Sequence, residues 1–165
     1  MDPVSQRLLS ADVLRSDKKS DEFLKAVIQG EYSSGKVVIA KIRDVVVLGL
    51  GTRAEFHAGI IARAGLEILN QKLVTTTNPD RAQPNPGVVI EGAFFKCSPE
   101  GKISISSRSM SFGGFDSRIF EKPTDEVVAE YILARIKSLK SLNSPANQPP
   151  SLADESFGSD LRQGL

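Results

Sequence analysis

Two runs of β-branched residues, separated by only two positions, constrain this chain more than any other feature. Residues 36–42 (KVVIAKI) and 45–50 (VVVLGL) flank Arg43-Asp44, and that spacing predicts a tight β-hairpin. Gly51-Thr52 ends the second strand. Thr52-Arg53-Ala54-Glu55 then reads as a capping box, with the threonine hydroxyl and the Glu55 carboxylate satisfying orphan amides reciprocally. Phe56, Ile60, Ile61, Ala64 and Ile68 recur at helical spacing, so a helix is expected from Thr52 to about Asn70.

Other elements follow from the same patterns. Val4, Leu8 and Leu9 share one helical face, as do Phe23, Val27 and Ile28, predicting helices over 4–14 and 20–29, the second ended by Gly30. Residues 75–87 hold three prolines and two asparagines and read as a long loop. Strands are expected at 88–97 and 102–108 around the turn Ser98-Pro99-Glu100-Gly101. The loop 109–114 (SMSFGG) follows. A last helix begins after Pro123 with Thr124 as N-cap, its inward positions Val127, Val128, Tyr131, Ile132 and Ile136. From about Ser141 the chain turns to Asn, Pro, Ser and Gln, which predicts a disordered polar tail. The expected class is α+β, a mostly antiparallel sheet flanked by helices. It divides into an N-terminal helical extension (1–30), the α+β domain (31–140) and the tail (141–165).

Composition narrows the chemistry. At 40% apolar residues the 165-residue chain can bury a core. Its 21 basic and 20 acidic residues leave a formal charge of +1, which argues against bulk electrostatic binding of nucleic acid. No stretch has the apolar length of a signal peptide or a membrane span, so no membrane partner is expected and the cytoplasm is the expected compartment. The single cysteine, Cys97, and the single histidine, His57, predict neither an internal disulfide nor a metal site or other cofactor.

His57 is the first candidate for chemistry. Counted from Thr52 as N-cap it falls at the fifth helical position, where backbone amides favour an anion and disfavour imidazolium. A neutral imidazole there suits a general base or nucleophile, and Arg53 lies four residues earlier on the same face. The same spacing also places His57 with Ile60, Ile61 and Ala64, where it would merely pack at a core edge. The second candidate is Arg108-Ser109-Met110-Ser111-Phe112-Gly113-Gly114. Its glycines and hydroxyls could form an anion nest, with charge from Arg108, or it is only a turn.

Together these two stretches resemble the phosphohistidine phosphatase (Janus/Ocnus) family over about residues 35–122. Glu55-Phe56-His57-Ala58-Gly59-Ile60-Ile61 is similar to the family's Glu-Tyr-His-Ala-Asp-Ile-Tyr, which carries the catalytic histidine at the position of His57. The run from Lys102-Ile103 through Arg108-Ser109-Met110-Ser111-Phe112-Gly113 is similar to the family's strand leading into its phosphate-binding loop. Lys36 falls where the family has a phosphate-contacting lysine. Two family arginines are replaced, one by Gly49 and one within Gly92-Ala93-Phe94-Phe95, with Arg53 and Arg108 standing nearby as substitutes.

The resemblance implies a metal-independent phosphohydrolase acting on a phosphorylated amino-acid side chain such as phosphohistidine. His57 would be base or nucleophile, and Lys36, Arg53, Ala58, Arg108, Ser109 and Ser111 would hold the phosphoryl group of a phosphorylated protein or small substrate. The alternative is a non-catalytic phosphate-binding or protein-interaction module on the same fold, meeting a protein partner through the N-terminal helices or the tail. A third is a structural subunit in which His57 only packs.

Overall fold

The hairpin forms the centre of a five-stranded sheet. The computed structural model describes residues 14–106, 112–115 and 119–142. Strands β1 (Leu14–Ser16), β2 (Ser34–Ile42), β3 (Val45–Gly51), β4 (Val88–Cys97) and β5 (Ile103–Ser106) lie in the order β1-β3-β2-β4-β5. Every pairing between these five strands is antiparallel except β1 with β3. The class is therefore α+β, a mostly antiparallel sheet with, among the described residues, three helices: α1 (Lys18–Ile28), α2 (His57–Leu69) and α3 (Thr124–Leu142). The hairpin turns at Arg43, whose φ of 57° lies in the left-handed region, and Ile42 pairs with Val45.

Alternation along the strands sends side chains to two faces. On one face Val38, Ala40, Val47 and Ile90 pack under Ala58, Ile60, Ile61 and Ala64 of α2. On the other, Phe23 of α1 meets Phe95 edge-on, ring centroids 5.9 Å apart. Helix α2 sits so close to β3 that a Cβ at Gly49 would lie 2.6 Å from Ile60 Cγ2 and 3.2 Å from the Ile60 carbonyl oxygen. Gly49→Ala should therefore cost about 1–3 kcal/mol by overpacking, read as a lower midpoint in chemical denaturation. An unchanged midpoint would mean that α2 shifts freely on the sheet.

The ends of the elements correct several expectations. Helix α2 begins four residues later than the capping box suggests: Phe56 is its N-cap and His57 its first residue. Glu55 does accept from the Thr52 amide (3.0 Å), but its own amide donates to the Thr52 carbonyl (3.1 Å). The result is a separate turn at 52–55, because β3 runs on to Gly51 and the chain must reverse before a helix can lie on the sheet. Arg53 thus sits on this turn and not on the helical face of His57.

Similar shifts occur elsewhere. Asn70, left-handed at φ 51°, ends α2 in the manner of a glycine. Asp17, not residue 20, starts α1, its carboxylate accepting from the Ser20 amide. Leu14, placed at the end of a helix by periodicity, is in β1; residues 1–13 of that expected helix lie outside the described residues. In α3 the Pro123 carbonyl accepts from Val127 (3.3 Å), which makes Thr124 the first helical residue rather than the cap. The helix also runs on to Leu142; residues 143–165 of the expected tail lie outside the described residues.

The chain divides into two compact units at Ala134/Arg135, within α3. Helix α1 and strand β1 belong to the same unit as the rest of the sheet. The described part of the second unit is the last turns of α3. No helix among the described residues is long and apolar enough to cross a membrane.

Candidate functional site

Where the sheet extends past the first turn of α2, one aromatic ring organises the charged residues. Strand register sets Lys36 beside both Gly51 of β3 and Phe94 of β4. The Phe94 ring lies 5.4 Å from the His57 ring, edge to face. The Lys36 ammonium stands 5.9 Å from the same centroid and the Arg53 guanidinium carbon 5.1 Å from it. Three expected site residues, from a strand, a turn and a helix, thus converge on Phe94. Arg108, Ser109 and Ser111 lie outside the described residues.

The start of α2 adds donors to these cations. Amides in the first turn of a helix have no intrahelical partner, and Phe56 offers no side-chain oxygen to cap them. The Ile60 amide makes the first helical bond, to the Phe56 carbonyl. The amides of His57, Ala58 and Gly59 therefore begin the helix at its positive end, which favours an anion. Phe56 is 56% exposed; it covers Lys36, whose ammonium is 5.4 Å from its ring centroid.

His57 itself is held firmly. It is 3% exposed, and its Nε2–H donates to the Ala93 carbonyl at 2.9 Å. That bond selects the tautomer and leaves Nδ1 with the lone pair; Nδ1 has no hydrogen-bond partner among the described residues. Burial holds the imidazole below its usual range, with the Lys36 charge acting the same way and the Ala93 bond opposing. At neutral pH the ring is therefore neutral, the state that a base or nucleophile requires. Lys36 is also lowered, first by partial burial and then by Arg53, against an opposing pull from Glu55. Its ammonium donates to the Glu55 carbonyl.

Glu55 in turn is fixed from the far side of the turn. Arg63, on α2, donates to Asp17 (2.8 Å), to the Leu50 carbonyl (2.6 Å) and to Glu55 (3.4 Å). Strand β1 covers β3 only as far as Leu48, so the backbone edge at Leu50 needs other partners. Ser20 Oγ accepts from the Leu50 amide (2.8 Å) and Arg63 takes its carbonyl. Ser20 Oγ also donates to Asp17, closing the network.

No family model, no curated protein and no solved structure matches this chain. The site must be read from its own chemistry. Gly49 is closed over by Ile60 and has no room for a longer side chain. Ala93 contributes its carbonyl to His57 instead of a charge. Sequence reasoning missed Phe94, the Ala93 carbonyl and the Arg63–Asp17 pair. Phe94 carried a usable signal, since it lies in register with Lys36; the other two are tertiary matches between distant segments.

Proposed function

We propose that this chain is a phosphohydrolase acting on a phosphorylated amino-acid side chain, with phosphohistidine as the leading case. The observation that carries the reading is His57: neutral, fixed through Nε2 by Ala93, and set at an uncapped helix start beside Lys36 and Arg53. The order of lysine strand, histidine helix and following strand pair supports it, being the order in the family that the sequence resembles.

Lys36, Arg53 and the amides at Ala58 and Gly59 would draw the phosphoryl oxygens, stabilising charge as the P–N bond lengthens. His57 Nδ1 would take a proton from water as the hydroxide forms a P–O bond. That proton would then pass to the leaving imidazole nitrogen, which regenerates neutral His57. Alternatively Nδ1 would attack phosphorus directly, and water would cleave the resulting phosphoimidazole. In either route the leaving nitrogen gains a proton and inorganic phosphate is released.

The single histidine makes the test direct. Followed by NMR across pH, His57 should titrate below the ordinary value of about 6.5 in the absence of ligand. Inorganic phosphate should move that titration upward and saturably, because a bound anion favours imidazolium. Hydrolysis should accordingly be on its plateau at neutral pH and fall as acid protonates the ring. A titration indifferent to phosphate would reduce His57 to a packing residue and overturn the proposal.

A second reading, phosphate binding without turnover, is favoured by one observation: Gly49 and Ala93 supply no cation where the family has arginines. It predicts the same saturable shift with no His57-dependent release of phosphate.

A further inference from the structure

A second cationic position lies next to the candidate site. A cleft of about 310 Å³ opens beside Phe94, lined by Arg53, Lys96, Ser104 and Ser106. Lys96 lies two residues beyond Phe94 on β4 and opposite Ser104 of β5, while Phe94 is opposite Ser106. Lys96, Ser104 and Ser106 are all exposed. Among the described residues Lys36, Arg53 and Lys96 make no ion pair; the salt bridges seen there belong to Arg63. The chain as a whole is almost neutral, so two strand lysines and the arginine of the adjoining turn, none of them in an ion pair among the described residues, mark a local charge excess.

We infer that this cleft receives an acidic side chain of a phosphorylated protein substrate, two residues from the phosphorylated one. The inference rests on the phosphohydrolase reading and adds the substrate class to it. Spacing supplies the argument. Residues two apart on a strand project to the same side about 7 Å apart, and Phe94 and Lys96 are so related. A substrate segment lying extended across this face repeats its own side chains at the same interval. With its phosphoryl group at Lys36 and His57, the side chain two positions away reaches Lys96 and Arg53. The Ser104 and Ser106 hydroxyls are at hand to donate to its carboxylate. A neutral or basic residue there gains nothing from the two cations.

The test uses three phosphohistidine peptides identical except for Asp, Ala or Lys two residues from the phosphohistidine, on either side. For the side that docks, kcat/KM should be about fivefold higher for Asp than for Ala and lower still for Lys, the scale of a partly exposed charge pair. Lys96→Ala should bring the Asp-to-Ala ratio close to one, and Lys96→Glu should reverse the order in favour of the Lys peptide. Raising salt should compress the preference. The same series carrying a phosphonate in place of the labile phosphoryl group, measured by binding, reads the preference independently of turnover. Equal values for all three peptides in both measurements would overturn this inference while leaving the phosphohydrolase reading intact. An acidic preference in binding, with no His57-dependent hydrolysis, would keep the inference and sink the catalytic reading.

Discussion

Replacing His57 by glutamine should lower hydrolysis of a phosphohistidine peptide by at least about 10²-fold, the usual contribution of a positioned base, and further if the ring is the nucleophile. Glutamine is chosen because its amide N–H can replace the donor to the Ala93 carbonyl, a bond buried in the native protein. An alanine there would leave that carbonyl unsatisfied, at a cost of about 1–3 kcal/mol, and would confuse unfolding with lost chemistry. Affinity for inorganic phosphate should change little in His57→Gln. Lys36, Arg53 and the first-turn amides of α2 remain, and none depends on the imidazole for its placement. The expected pattern is a collapse in kcat with phosphate inhibition retained. Turnover at the native rate would remove His57 from the mechanism. Loss of phosphate affinity together with turnover would make the histidine a support of the pocket.

How far the site was legible in the sequence depends on the range of the interactions. His57 and Arg53 stood out in the helical pattern that follows β3, whereas Lys36 was singled out only by the family resemblance. Their local geometry was less legible. The Thr52–Glu55 box has the residues of a helix cap, and Glu55 makes the expected bond to the Thr52 amide. Yet the helix starts at His57, since Gly51 still belongs to the sheet and a Cβ there would collide with Glu55 and Ile60. A local pattern cannot report that constraint. The hairpin, by contrast, is specified by two adjacent apolar runs and a two-residue turn, and its register followed directly. Phe94 was readable only once β4 was placed against β2, because the meaning of that ring lies in what the register brings to it. Asp17 was not singled out in the sequence; it is 1% exposed and pairs with Arg63, 46 positions away.

That pairing carries the second large effect. Arg63→Met keeps the apolar stem of the side chain but leaves the Asp17 carboxylate buried without its cation and the Leu50 carbonyl without its donor. Breaking a buried pair from one side costs about 3–5 kcal/mol. Arg63 is 22% exposed, and Asp17 keeps its bonds from Ser20, so the lower end, about 3 kcal/mol, is expected. For a chain of this size that is a fall of about 6–12 °C in Tm. Adding Asp17→Asn to the same chain should recover part of the loss, because the stranded charge is then gone; a double variant no more stable than Arg63→Met would mean that the pair contributes only shape.

The consequence for function is separable from stability. Arg63 holds Glu55, and the Glu55 carbonyl receives Lys36, so removing the guanidinium loosens the lysine that meets the phosphoryl group. At a temperature where Arg63→Met is fully folded, KM for a phosphorylated peptide should rise several-fold while kcat falls less, since His57 is held by Ala93 on another strand. If KM is unchanged in the folded variant, the network serves the fold alone, and Lys36 is placed by its strand rather than by the turn that faces it.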